Sequence, residues 1–370
     1  MYMIEWQIWS YAKSSMQERV LSGSIWEEHG YSRFTKIKVS ESVVDHTKSC
    51  SKKPKPLGPY YAYNDTYLEI RGGMMEERRG PLSLLSLTFL FSGCASAQLA
   101  YFCLQDGQIL ASIFVVLCSS IFLASFFLAY KIVRLEIFTH RHLRVRFNRI
   151  TRQVYIQRPK YCGGVAVYRW EDTQPSVSAK SKVLPVMGSR NLLVWEPINT
   201  GLPYVDYMAI GKQATTGQDI KDEWEFIRRY MENGPEGLPK PSITSLLPLP
   251  WHGVSVQLES MRGFFWPLHG FSILMLPLAG LAVTLMSLLY FLSELFCWQP
   301  RWPKVIREAG KQGKQIPKLT ALDDFPADIQ EKLLLNREEL EYVDDTAPVA
   351  VKKSTRRWYR KKKNILKDKG

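Results

Sequence analysis

The sequence predicts an α+β membrane protein: a transmembrane helical hairpin, a cytosolic antiparallel β domain closed by a C-terminal helix, and a second membrane segment. Three observations carry that class. Two long runs are almost free of charge. The stretch after the first run alternates apolar and polar residues at the period of a strand. "TGQDIKDEWEFIRRYMENGP" then changes to the period of an amphipathic helix. The average composition, 46% hydrophobic with a net charge of +14, hides these segments because the remainder of the 370 residues is densely charged.

The first apolar run has two arms, "LSLLSLTFLFSGCASAQLAYFCL" from Leu82 and "ILASIFVVLCSSIFLASFFLAY" from Ile109, joined by "QDGQ". Each has the roughly 20 residues that a helix needs to cross a hydrocarbon core. Small residues such as Gly93, Ala95, Ser96 and Ala97 would let the arms approach closely. The tip has Asp106 and no base, whereas Arg71, Arg78 and Arg79 precede the hairpin and Lys131 and Arg134 follow it. Bases collect on the cytoplasmic side, so both flanks are expected in the cytosol. "RHLRVRFNRITRQVYIQRPK", residues 141–160, then holds seven Lys or Arg and no acid. Arg141, Arg144, Arg146, Arg149 and Arg152 are expected to form a basic patch against anionic phospholipid of the inner leaflet.

Within that stretch Leu143, Val145 and Phe147 point one way as a core face, leaving Arg144 and Arg146 on a face expected to be wet. Val154 and Ile156 resume the apolar side. Further strands are expected at residues 165–170, 182–187, 191–196 and 204–211, with Pro185 marking an edge or bulge. Ile220, Trp224, Ile227 and Met231 share the face of the closing helix, which stops at Asn233, Gly234 and Pro235. Short strands followed by one helix is the order of a pleckstrin-homology-like domain.

The second apolar stretch, "GFFWPLHGFSILMLPLAGLAVTLMSLLYFLSELFCW", contains Pro267 and Pro277. It would cross once as a tilted, kinked helix, or turn back as a broken hairpin. Trp266, Trp298 and Trp302 are candidate interfacial anchors. The expected organisation is therefore an N-terminal cytosolic segment with a short helix and strand (1–80), the hairpin (81–131), the β domain (132–234), a Pro-rich linker (235–261), the second membrane segment (262–298), and a helical segment with a basic tail (299–370).

Chemistry has little support in the sequence. The six cysteines, Cys50, Cys94, Cys103, Cys118, Cys162 and Cys297, show no metal spacing. His140 and His142 would share a strand face but lack partner ligands. No nucleophile elbow, zinc-protease helix or phosphate loop is present. No cofactor, no metal and no catalysis are expected. Glu294, an acid near the end of an apolar segment, is a functional candidate by position, though it could reach headgroup water. Nucleic acid is not an expected partner, because the bases gather at membrane ends and in the tail "KKSTRRWYRKKKNILKDKG" rather than among exposed aromatics.

"YLEIRGG", "RFNRITRQVYI", "RWED", "WEFIRRYMENGPEGLP" and "RWPKVIREAG" occur in that order around the two apolar runs. Together they resemble a group of bacterial inner-membrane proteins of unassigned domain function, encoded beside type VI secretion effectors and polymorphic toxins. The resemblance implies an immunity protein, multi-pass in the inner membrane with its soluble parts mainly cytosolic, whose partner is a cognate toxin. The toxin would be occluded by the β domain or met by the membrane helices; the contact residues are not legible. The alternative is a membrane-anchored lipid-binding or scaffolding protein.

Overall fold

The computed structural model describes residues 2–13, 48–74, 79, 81–105, 109–133, 136–177, 189–214, 216–265 and 271–334. It is a mixed α+β structure built on an antiparallel sheet. The strands are β1 (Tyr60–Tyr63), β2 (Tyr67–Gly72), β3 (Leu143–Asn148), β4 (Gln153–Gln157), β5 (Val165–Arg169), β6 (Gln174–Val177), β7 (Ser189–Trp195) and β8 (Asp206–Ala214). The order across the sheet is β5-β4-β3-β2-β8-β7-β6, with β1 also paired to β2. One meander therefore runs β2 to β5 and a second β6 to β8, and they join where Gly72 of β2 pairs with Ile210 of β8. The expected strand at 182–187 lies outside the described residues. β1 and β6 go beyond the strands expected from sequence, because "YYAY" is short and Pro175 interrupts the propensity of β6.

The longer helices are α1 (Met3–Lys13), α2 (Pro81–Gln105), α3 (Ile109–Val133), α4 (Gly217–Asn233), α5 (Pro250–Phe265) and α6 (Phe271–Leu295), with the short α7 (Lys304–Glu308) and a single helical turn, Pro197–Thr200, after β7. The α2 and α3 pair is inserted between β2 and β3, which are nonetheless neighbours in register from Tyr67↔Asn148 to Gly72↔Leu143. Ser86 Oγ donates to the Ala129 carbonyl at 2.8 Å, and Gly93 lies against Phe122 and Ser125, so the two arms run antiparallel at close range. Large apolar side chains point outward along both, Phe91, Phe102, Val116 and Phe127 among them. By length and composition, one described stretch, Leu84–Phe102, is long and apolar enough to cross a membrane; Val115–Lys131 and Ala279–Leu295 are shorter apolar helical stretches.

The second apolar stretch is carried mainly by α6, and the helix beside it, α5, begins within the expected linker. α5 lies beside α6, and Gly253 meets the backbone carbonyl of Ser287, where an added Cβ would stand 2.7 Å from that oxygen. The linker therefore ends at Leu249, earlier than the expected boundary at residue 261, because the mixed "PWHGVSVQLESM" is helical when packed on an apolar neighbour.

The sheet core is aromatic. Phe147, Trp170, Trp195, Trp224 and Tyr230 are completely buried, Trp170 stacks on Trp224 at 5.4 Å and Tyr168 on Trp195 at 4.6 Å between ring centroids. The closing helix α4 packs on β6, β7 and β8. Thr216 and Asp219 form a capping box at its start, and Gly234 ends it, its N–H donating to the Tyr230 carbonyl. Residues 49–55 bind its outer side: Ser49 Oγ and the Cys50 N–H donate to Glu225, and Ser51 Oγ donates to Asp222.

Candidate functional site

Alternation places Leu68 and Ile70 of β2 in the core and Glu69 on the other face, directly opposite Arg146 of β3. That face is not wet. The chain leaving α6 crosses it, and this strap, residues 299–320, seals it with its own groups. Arg144 Nη1 donates to Glu69 Oε1 at 2.7 Å, and Arg146 donates to Oε2 through Nε at 2.9 Å and Nη2 at 2.8 Å. Trp302 of the strap donates its indole N–H to the same Oε2 at 3.1 Å, with its ring beside both guanidiniums, 5.2 Å from Arg144 and 4.9 Å from Arg146. One carboxylate thus receives a two-donor guanidinium fork from Arg146, a single bond from Arg144 and an indole N–H, which is what lets ions remain in a dry place. Arg144 also donates to Gln157 Oε1, and strap carbonyls accept from the remaining groups: Arg144 donates to Pro300, Asn148 to Ala309, Gln153 to Pro317 and Gln157 to Arg301. Thr320 closes the edge of β5 by exchanging two hydrogen bonds with the Val167 backbone.

The expectation for the basic patch is corrected accordingly. Arg144 and Arg146 are 5% and 6% exposed and ion-paired, so they do not face solvent or lipid. Arg141 is also committed: its guanidinium donates to the carbonyls of Glu294, Leu246 and Cys297, capping the C-terminal end of α6. Arg149 donates to the Asp65 carbonyl, and Arg152 pairs with Glu171 and Glu232. Among the expected anchors, Trp298 is 53% exposed, Trp302 is buried between the strap that carries it and the sheet, and Trp266 lies outside the described residues.

At the roots of the helices, Arg79 donates to the Arg141 carbonyl at 2.6 Å and Tyr2 to that of His140 at 2.8 Å. Glu294 is 1% exposed and stands 3.7 Å from His142 Nε2, so it does not reach water as its sequence position suggests. Burial, with Arg144 second, lowers the His140 pKa to about 4. Burial likewise lowers that of His142, against the pull of Glu294.

Two more buried clusters have no local signature in the sequence. Arg158 makes a bidentate pair with Asp206, both bonds 2.8 Å, and Tyr168 donates to Asp206 at 2.6 Å. The cavity beside them, about 10 Å³ and lined by Glu5, Trp9 and Asp206, has room for about one water. Glu223 accepts from Asn191 at 2.9 Å and from the Gly58 N–H at 3.3 Å, and burial pushes its pKa up to about 8. No group of three or more His, Cys, Asp or Glu positioned to hold a metal occurs among the described residues. An apolar groove of about 330 Å³ lies along α2 and α3, lined by Ala97, Ala100, Val115 and Phe122 among others.

The fold and these clusters define an α+β protein whose antiparallel sheet is joined to two helical pairs and whose buried ions include the pairs Glu69 with Arg144 and Arg146, and Arg158 with Asp206. The chain belongs to a family of unknown function, DUF6708, which matches residues 121–313. No curated protein and no solved structure matches it.

Proposed function

We propose that this protein is anchored in the bacterial inner membrane by its two helical pairs, with the sheet domain on the cytosolic side, and that it neutralises a cognate type VI secretion effector by direct binding without catalysis. The observation that carries the reading is the contrast between its two halves. α2 and α3 expose large apolar residues along their length, a cost in water of a kind that lipid removes. The sheet domain holds Glu69, Arg144, Arg146, Arg158 and Asp206 in buried structural pairs and, beside Arg158, encloses space for about one water. A rigid, membrane-tethered domain of this kind suits binding. The segments "RWED" and "WEFIRRYMENGPEGLP" support the link to effector immunity by resemblance. Deleting the gene is expected to be harmless alone and lethal where the neighbouring toxin gene is retained; survival of the second strain would remove the reading.

A second reading has its own observation. Meanders of four and three strands joined at the first and last strands, with a helix packed on the second meander, support a pleckstrin-homology-like reading of the domain. Such a domain would serve as a membrane-anchored lipid-binding or scaffolding module. With Arg144 and Arg146 enclosed, it would have to read headgroups through other residues. Calorimetric titration of the full chain in phosphatidylcholine nanodiscs with glycerophosphoglycerol would show saturable heat on this reading and none on the first.

A further inference from the structure

The strap that seals the sheet turns its cations the other way. Arg301, Lys304, Arg307, Lys311, Lys314 and Lys318 are all exposed on its outer side. Lys314 stands 3.4 Å from Glu308 and Lys318 3.4 Å from Asp324. Among the described residues Arg301, Lys304, Arg307 and Lys311 have no ion pair. These cations are not carried on a loose loop. The Ile306 and Ala309 side chains are buried against Tyr155 and Val167, and the backbone is bonded to Asn148, Gln153 and Gln157. The surface is therefore preorganised, so little ordering cost falls on a partner.

Val305 and Ile316 are exposed between the cations, 43% and 60% respectively. The strap shows no exposed aromatic ring: its Trp302 faces inward. Base stacking and interfacial anchoring both rely on such rings, whereas an acidic protein surface needs only opposite charge around small apolar contacts. A second copy of the chain is disfavoured, since each carries a net charge of +14. The strap begins at the helix roots beside Gln157 and reaches Asn148 at the far end of β3. A six-residue strand covers about 20 Å, roughly two Debye lengths at physiological salt, so a leaflet held at the roots attracts the outer cations weakly.

We propose that the outer surface of the strap, centred on Arg301, Lys304, Arg307 and Lys311, docks an acidic face of a protein partner. The proposal rests on the binding role above and names the surface that would perform it. The test uses the full chain in phosphatidylcholine nanodiscs and poly-L-glutamate as probe. A strap variant, Lys304→Glu/Arg307→Glu/Lys311→Glu, is compared with a tail variant of equal charge change, Lys361→Glu/Lys362→Glu/Lys363→Glu. Binding is expected to weaken about tenfold or more in the strap variant and far less in the tail variant. Equal losses, no loss, or tighter strap-dependent binding of a single-stranded oligonucleotide or of phosphatidylglycerol vesicles would overturn the proposal. The protein encoded by the neighbouring effector gene supplies the second arm. If it binds wild type and strap variant alike, the strap proposal falls and immunity stands. If it binds neither while poly-L-glutamate discriminates, the immunity reading falls and the docking surface stands.

Discussion

Glu69 and Trp302 meet across the covered face of the sheet: the indole N–H donates to Glu69 Oε2 at 3.1 Å, joining the second strand to the chain that leaves the last long helix. The contact couples strap to sheet because the same carboxylate neutralises Arg144 and Arg146. Replacing Glu69 with Ala would leave two guanidiniums buried and unpaired, at an expected cost of about 3–5 kcal/mol. Arg146→Ala should cost a similar amount, and the double variant much less than the sum, since the three groups act as one unit. Denaturant unfolding of the detergent-solubilised chain checks this; strict additivity would contradict it.

Trp302 allows a local test of the same seal. Trp302→Ala removes a buried ring and one hydrogen bond from the carboxylate, with an expected loss of about 3–5 kcal/mol. Because the strap also covers the β5 edge through Thr320, amide exchange at Val167 should accelerate in this variant. Unchanged protection there would mean that the strap is held without its tryptophan.

Much of the sheet is legible in the sequence. Leu143, Val145 and Phe147 alternate with Arg144 and Arg146, and the alternation places the core side correctly. The burial of the other side is not legible, because it depends on a segment far along the chain returning to cover it. A signal exists nonetheless. "YLEIRGG" alternates in the same way, and pairing it with "RVRF" puts Glu69 opposite Arg146, a cross-strand ion pair that suggests a covered surface more than a lipid-facing one. Trp302 resembles an anchor by its distance from an apolar helix, and sequence distance does not reveal a turn back onto the sheet. The closing helix α4 is legible from its apolar stripe and its stop at Asn233, Gly234 and Pro235, because both signals are local.

Glu223 should give the protein an alkaline sensitivity. Its carboxyl is raised to about 8 by burial, with Asn191 and the Gly58 N–H bonded to it and Arg71, Arg190 and Tyr60 as charged or titratable neighbours. A folded pKa above the unfolded value means that the native state holds the proton more tightly. The stability linked to it is complete below the ordinary glutamate range and is lost as pH rises toward 8. The lowered His140 and His142 act oppositely, destabilising the fold as pH falls below their ordinary range. The difference between wild type and Glu223→Gln isolates the carboxyl. It should fall with a slope approaching about 1.4 kcal/mol per pH unit between the two pKa values and flatten beyond. A difference independent of pH would show that Glu223 is not protonated in the fold.

Gly211 faces that carboxyl with φ +74°, and a Cβ there would lie 2.5 Å from Glu223 Oε2. Gly211→Ala therefore combines a left-handed backbone with a clash and should cost about 2–4 kcal/mol. Adding Glu223→Ala clears the space but leaves the backbone conformation in place, so about 1–2 kcal/mol should remain. Full recovery would assign the whole cost to the clash, and no recovery would assign it to the backbone.

The orientation proposed for the sheet domain can be tested at Ile198, which is 87% exposed on a turn following β7. Its side chain touches little, so Ile198→Cys should change stability by less than about 0.5 kcal/mol. The native thiols in and around the sheet supply a small background, because Cys162 and Cys297 are buried and Cys50 is half-covered beside Glu225. Burial, with Glu225 adding to it, raises the Cys50 pKa to about 11, which makes that thiol slow to react. A membrane-impermeant maleimide should therefore label the introduced thiol poorly in intact spheroplasts and well in inverted vesicles, with the unsubstituted chain as the blank in both. The bases around the helix roots demand that result if they are held on the cytosolic side. Strong labelling in intact spheroplasts would place the sheet domain outside, and an effector arriving in the cytosol could then no longer be its partner.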